Sequence, residues 1–271
     1  MVAVYRWSKG MIIDFHTHCF ADALAPSAID RLQKNTNITA VHDGTLGGLT
    51  AHMAACGVDQ CVVVPVATKP SQVSVINKWA LESSNDRAVF FGALHPDDLN
   101  FISAAKKLKE DGFKGIKLHP DYQHFFADEP RMMPLYEALR DLGLTVMLHA
   151  GVDIGFPAPV HCTPLMLRRV IENVPGLKLV AAHMGSHALW RDVEDTLLGL
   201  PLYIDTAYSH YSLQNEGMTR MIKKHGAQNV LFGTDSPWMR ADGEIEKMLA
   251  LDLPLEDKEA ILYKNALALL I

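Results

Sequence analysis

The sequence predicts an α/β fold of the closed (β/α)8, or TIM-barrel, class. Its 271 residues are close to the roughly 250 that such a barrel uses. Short apolar runs alternate with amphipathic stretches, a pattern typical of β/α units around a parallel sheet. Metal-binding types of residue end several of these runs, which is where a barrel builds its site. An open, doubly wound sheet would alternate in the same way, but no glycine-rich phosphate loop follows the first run.

The apolar runs and the stretches between them give the elements in order. Eight strands are predicted at residues 11–16, 59–66, 88–94, 114–119, 144–149, 177–182, 201–206 and 229–234. Helices are predicted near residues 46–56, 71–85, 99–111, 131–142, 163–173, 187–198, 214–225, 243–250 and 256–270, with further helical content within 26–34. Eight strands are the number that closes the barrel.

The chain is predicted to be one domain over residues 1–271, because no repeat, low-complexity tract or linker interrupts it. Met11 opens the first strand directly, so residues 1–10 are expected to be an N-terminal extension. That segment lacks the apolar stretch of a secretory signal.

Composition limits the classes of partner. The net charge of −6 offers nothing to nucleic acid or to an anionic membrane surface, and no apolar run approaches the 18–20 residues that span a bilayer. The four cysteines form no C-x-x-C pair and are expected to be reduced thiols of a cytoplasmic protein. A small-molecule substrate is the expected partner, and association into a homo-oligomer is left open.

The pair His16-x-His18 at the end of the first strand is the strongest local signal. Residues i and i+2 of a strand point to one face with a rise of about 3.3 Å each, so both imidazoles can reach one ion at about 2.1 Å. Three further strands end in similar residues, namely His149, His183 and Asp235. By the same alternation, Leu179, Ala181 and His183 share one face, as do Leu231, Gly233 and Asp235. Imidazoles and a carboxylate suit zinc best, with iron or manganese as related choices.

With these residues in place, the chain resembles the amidohydrolase superfamily, in particular the amidohydrolase-2 branch that includes aminocarboxymuconate-semialdehyde decarboxylase and resorcylate decarboxylase. The matching motifs occur in family order: Ile13-Asp-Phe-His-Thr-His18, Gly112-Phe-Lys-Gly-Ile-Lys-Leu-His-Pro120, Leu148-His-Ala-Gly151, Leu177-Lys-Leu-Val-Ala-Ala-His-Met-Gly185, Tyr203-Ile-Asp-Thr206 and Asn229-Val-Leu-Phe-Gly-Thr-Asp-Ser-Pro-Trp238. The segment between the first strand and the helix near 46 is shorter than in many decarboxylases of the branch.

The resemblance implies a metal-dependent barrel enzyme with its ion at the carboxyl ends of the strands. Its one divalent ion, most simply Zn²⁺, is expected to be held by His16, His18, His149 and Asp235. Asp235 is also expected to carry a proton. His183 is implied to orient or deprotonate the water beside the metal rather than to bind it tightly.

Two residues of the fourth strand leave alternatives open. Lys117 shares a face with His119, and dinuclear members of the superfamily carboxylate a lysine near this strand end to bridge two ions. A mononuclear site, with Lys117 as the partner of a buried acid, is the expectation here. His119 is open between substrate contact and structural hydrogen bonding. Trp238, three residues after Asp235, is a candidate for the pocket wall.

Two chemistries share this set of ligands. The preferred expectation is hydrolysis of a small amide, ester or lactone by a metal-activated water. The alternative is non-oxidative decarboxylation of a small unsaturated or aromatic carboxylic acid. Decarboxylation calls for a cation that holds the carboxylate, whereas the loop at residues 151–162 contains no Lys or Arg. A non-catalytic metal-binding protein is the remote third reading.

Overall fold

The computed structural model describes residues 10–271, so nearly all of the expected N-terminal extension lies outside the described residues. The strands within this part are β1 Ile13–Thr17, β2 Gln60–Val63, β3 Ala88–Phe90, β4 Gly92–Ala93, β5 Gly115–Leu118, β6 Thr145–Leu148, β7 Leu179–Ala181, β8 Tyr203–Asp205 and β9 Val230–Leu231. Each predicted strand overlaps one of them, except that the third is divided between β3 and β4, and β1 extends one residue beyond its predicted end.

The helices alternate with these strands. The α-helices are α1 Ala25–Thr36, α2 Leu46–Ala55, α3 Val73–Ser83, α4 Phe101–Glu110, α5 Pro120–Gln123, α6 Met133–Asp141, α7 Pro164–Asn173, α8 Trp190–Thr196, α9 His210–His225, α10 Ala241–Ala250, α11 Leu255–Glu259 and α12 Asn265–Leu270. Single 3₁₀ turns occupy Pro70–Gln72, Pro130–Met132 and Ala227–Asn229, and a π-helical turn occupies Ala260–Lys264. No described helix is long and apolar enough to cross a membrane.

The chain divides into two compact units. The first contains the described residues up to Val63, Asn85–Val89 and Thr206–Ala268, and the second contains Val64–Ser84, Phe90–Asp205 and Leu269–Ile271. The prediction of a single domain is not tested by this division and stays a prediction.

In the first unit, β1 lies between β2 and the segment that continues β9. β1 and β2 pair in parallel with Ile13 opposite Gln60. On the other side of β1, the Phe15 amide donates to the carbonyl of Phe232, 2.8 Å away. All five residues of β1 are buried, because a parallel strand is covered on both faces.

In the second unit, strands β4 to β8 lie side by side in chain order. All four pairings are parallel, for example Gly115 opposite Thr145 and Val146 opposite Leu179. Every residue of β5, β6 and β7 is buried. In such a sheet the carboxyl ends of the strands share one edge, and here Lys117, His149 and His183 lie at or just beyond those ends.

Candidate metal centre

Two imidazoles and a carboxylate converge in the first unit. The His18 Nε2 lies 3.0 Å and the His16 Nε2 3.6 Å from Oδ1 of Asp235. The two rings are edge to face, with centroids 5.1 Å apart. One ligand atom from each residue lies within 4.8 Å of the others. The structure therefore brings together three of the four predicted metal ligands.

The spacing of these atoms fits a divalent ion. Bonds of about 2.1 Å in a tetrahedral shell separate neighbouring ligand atoms by about 3.4 Å, and the two observed separations from Asp235, 3.0 and 3.6 Å, lie on either side of that value. His16 is 1% exposed, whereas His18 and Asp235 are 21% and 14% exposed. Solvent therefore reaches this cluster from the side of His18 and Asp235, while His16 closes it on the inner side.

Backbone hydrogen bonds between β1 and the turn after β9 hold the three ligands in place. The Asp235 amide donates to the His16 carbonyl at 2.9 Å, and the His18 amide donates to the Ser236 carbonyl at 2.7 Å. Asp235 has φ of +65°, a left-handed conformation that Asp adopts more readily than most residues. Because β9 ends at Leu231, strand alternation with Leu231 and Gly233 does not set the direction of the Asp235 side chain; this turn does.

Asp14 stabilises the same turn from within the core. Its Oδ1 accepts hydrogen bonds from the amides of His16, at 3.1 Å, and Thr234, at 3.0 Å. Its Oδ2 accepts one from the Thr234 hydroxyl. A buried carboxylate is tolerated when it is hydrogen-bonded in this way. Asp14 thus links the segments that carry His16 and Asp235.

Gly233 lies against His16 with no room for a side chain. A Cβ added there would be 2.9 Å from the Cβ of His16 and 3.4 Å from that of Ala207. We expect Gly233→Ala to displace His16 and to weaken the binding of a divalent ion by about tenfold or more, as changes around metal ligands commonly do.

The matched control is Gly243→Ala in α10, where an added Cβ would meet no atom within 4 Å. It should bind the ion with the wild-type dissociation constant, measured by competition with a chromogenic chelator. An unchanged dissociation constant for Gly233→Ala would contradict the placement of His16.

The other predicted residues lie in the second unit, where His149 contacts two further histidines. Its Nδ1 is 3.1 Å from Nε2 of His183, and its ring stacks on that of His119 with centroids 4.2 Å apart and planes 6° from parallel. The structure thus places His183 directly beside the fourth predicted ligand, His149. Their roles at a metal ion stay predictions.

The backbone of His183 is held in an uncommon conformation. β7 ends at Ala181, and His183 has φ of +60°. Strand alternation from Leu179 therefore does not set its direction either. Its amide donates to Oδ1 of Asp205 at 2.9 Å, and the Trp190 indole donates to its carbonyl at 3.1 Å. These contacts keep the His183 ring against His149.

Sequence analysis leaves His119 open between substrate contact and structural hydrogen bonding. Its contacts favour structural hydrogen bonding. Its Nδ1 accepts the amide of Tyr122 at 3.5 Å, so its proton lies on Nε2, which is 3.2 Å from Oδ2 of Asp153. Burial lowers the pKa of His119 although Asp153 acts to raise it. Burial also acts to raise the pKa of Asp153, but the hydrogen bond and charge of His119 outweigh this effect and lower it. The pair is therefore a neutral imidazole that donates to a carboxylate.

Asp153 is a residue of this cluster that sequence reasoning missed. Its Oδ2 is also 3.9 Å from Nε2 of His149, and its Oδ1 accepts the amide of Gly155 at 2.7 Å. An acidic residue four positions after a predicted ligand was the available signal.

The two remaining candidates are Lys117 and Trp238. Lys117 is 1% exposed, and its role as the unmodified partner of a buried acid stays a prediction. Trp238 is half-buried in the first unit, where its amide donates to the Asp235 carbonyl at 2.9 Å. That hydrogen bond closes the turn that carries Asp235, so Trp238 contributes to the site through its main chain.

Known structures share this fold at low sequence identity. An uncharacterised TIM-barrel protein from Bordetella bronchiseptica aligns with a TM-score of 0.74 and 21% identity, over 96% of this chain and 98% of the other. A 2,6-dihydroxybenzoate decarboxylase from Rhizobium aligns with a TM-score of 0.70 and 16% identity, over 96% and 98%. A 5-carboxyvanillate decarboxylase from Novosphingobium aromaticivorans, complexed with manganese, aligns with a TM-score of 0.71 and 16% identity, over 97% and 96%. The predicted TIM-barrel fold class is confirmed.

Sequence comparison identifies the family. A search of the curated proteins gives no significant match. The family model described as amidohydrolase, of the amidohydrolase-2 type, matches residues 13–270. That range includes His16, His18 and Asp235, together with every other residue predicted to act at the site. The chain is an enzyme and belongs to the amidohydrolase family.

Proposed function

We propose that this enzyme is a metal-dependent, non-oxidative decarboxylase of a small unsaturated or aromatic carboxylic acid. The observation that carries the metal dependence is the convergence of His16, His18 and Asp235, in which the two imidazoles lie 3.0 and 3.6 Å from the carboxylate. The decarboxylases among its structural neighbours, one of them with manganese, favour this chemistry over hydrolysis, which the sequence alone had favoured.

The proposed metal centre contains one divalent ion held by His16, His18 and Asp235. When bound, the ion would act as a Lewis acid that polarises oxygens of the substrate. Two imidazoles and a carboxylate suit zinc or manganese. The ligand role of His149 and the mononuclear state remain proposals, as do a cytoplasmic location and association into a homo-oligomer.

The chain's own residues would orient the substrate and move a proton. In decarboxylation the bond between the ring or vinyl carbon and its carboxylate breaks, carbon dioxide leaves, and the carbon that keeps the electron pair must be protonated. Asp235, whose carboxylate is 14% exposed, is the proposed proton carrier of the first unit. His183 is the proposed second one, and its contact with His149 orients its ring.

Hydrolysis of a small amide, ester or lactone is the second candidate, because of the loop at residues 151–162. This loop contains no Lys or Arg, and its Asp153 has a lowered pKa, so it is a carboxylate at neutral pH. A loop with a negative charge and no Lys or Arg repels a substrate carboxylate and therefore favours a neutral substrate group.

Isotope labelling separates the two reactions. Metal-loaded protein would be incubated with 2,6-dihydroxybenzoate, 5-carboxyvanillate and a panel of small lactones and amides, once in D₂O and once in H₂¹⁸O. A decarboxylase releases carbon dioxide and places deuterium on the carbon that lost it. A hydrolase places ¹⁸O in the product acid instead. Incorporation of ¹⁸O without release of carbon dioxide would replace the proposal by the second candidate.

A further inference from the structure

A third histidine of the first unit, His42, is hydrogen-bonded to the segment that follows Asp235. Its Nδ1 accepts the amide of Gly44 at 3.1 Å, which fixes the ring proton on Nε2. That nitrogen lies 3.1 Å from the hydroxyl of Ser236. His42 therefore donates a hydrogen bond to Ser236 in its neutral form.

Ser236 connects this hydrogen bond to two of the proposed metal ligands. It follows Asp235 directly, and its carbonyl accepts the His18 amide at 2.7 Å. Its own amide donates to the Thr234 hydroxyl at 3.0 Å. Ser236 is completely buried. A shift of this residue would therefore move Asp235 along the chain and His18 through its hydrogen bond.

Backbone hydrogen bonds join the segment around His42 to both chain segments that carry proposed ligands. The Val41 amide donates to the carbonyl of Pro237, and the Phe20 amide donates to that of Gly44, both at 2.8 Å. Residues 41–44 thus join the chain just after His18 to the chain just after Asp235.

We propose that His42 is a positioning residue of the metal centre, holding Ser236 so that Asp235 and His18 keep the spacing that an ion requires. The inference rests on the proposed function in that a divalent ion binds at these ligands. The two ligands concerned are the exposed ones, at 14% and 21%, whereas His16 is 1% exposed. His16 is also held by Asp14 and by close packing against Gly233, whereas Asp235 and His18 are positioned by the hydrogen bonds of their turn.

A purely packing role for His42 predicts a different outcome. Its ring lies tilted beside that of His52, with centroids 5.8 Å apart. His52 itself accepts the amide of Ala241 at 3.3 Å, at the start of α10. Loss of either ring would disturb the same contact, but only His42 donates to Ser236.

The test compares His42→Leu, His42→Gln and His52→Leu. The dissociation constants for Mn²⁺ and Co²⁺ would be measured by chelator competition, with the visible Co²⁺ spectrum as a readout of ligand geometry. Melting temperatures of the metal-free proteins would report stability separately. The protein is used as the full chain and without substrate.

We expect His42→Leu to weaken metal binding about 10–100-fold, the usual effect of removing a group that orients ligands, and to change the Co²⁺ spectrum. His42→Gln keeps an N–H donor and should recover most of the affinity. His52→Leu should bind the ions like the wild type even where its melting temperature falls. If His42→Leu does not fold, Ser236→Ala, which removes only the acceptor, should weaken binding in the same way.

Three results would overturn the inference: wild-type affinity in His42→Leu, equal losses in His42→Leu and His52→Leu, or no recovery in His42→Gln. Failure of the decarboxylase proposal is distinguishable, because it would appear as absent carbon dioxide release while the effect of His42 on metal binding persisted. A wild-type protein that binds neither ion would refute both.

Discussion

The double variant His16→Ala, His18→Ala is expected to lose most of the divalent ion that the wild-type chain binds. It removes two of the three ligand atoms that the structure brings within 4.8 Å of one another. A lone carboxylate binds such an ion weakly, because tight protein sites for zinc use about four ligands. Elemental analysis of protein purified without chelators measures the loss.

The control for this variant is His124→Ala. His124 is exposed, follows α5 and belongs to no described ligand set. It should keep the wild-type metal content. Wild-type occupancy in the double variant, with its fold intact by circular dichroism, would mean that the ion binds elsewhere.

The second large effect is expected from Asp235→Asn. The substitution preserves size and one oxygen, but the amide neither carries the negative charge nor accepts a proton. We expect kcat to fall by at least about a hundredfold, within the range attributed to positioned acid–base groups. The assay must be run at saturating metal, since the oxygen facing His18 at 3.0 Å is also a proposed ligand of the metal.

Metal content and melting temperature are measured on the same Asp235→Asn sample. A metal-loaded, folded variant with near-normal kcat would leave Asp235 as a ligand only. The proton carrier would then have to be sought among other residues, beginning with His183.

Most of the fold could be predicted from the sequence because its strands are short, apolar and regularly spaced. The elements that differ are those without a periodic signal. α5, Pro120–Gln123, has four residues and is too short for a helical repeat to show. α9 begins at His210 rather than near 214, and Gln214 within it has φ of +54°, an interruption that a helical pattern does not predict.

The site could be predicted only in part, because alternation applies while a residue is within a strand. His16 lies within β1, whose five residues are all buried, so alternation applies to it. Asp235 and His183 lie beyond their strands with φ of +65° and +60°. Their directions depend on turns whose hydrogen bonds join distant segments. His42 is bonded to Ser236, 194 residues away in the chain, so no local pattern could have indicated it.

Anomalous scattering from crystals of the metal-loaded protein would locate the ion in the proposed metal centre. We expect one strong peak about 2.0–2.2 Å from Nε2 of His16, Nε2 of His18 and a carboxylate oxygen of Asp235, with an unmodified Lys117. A peak away from these three atoms, or two peaks bridged by density on the Lys117 side chain, would contradict this expectation.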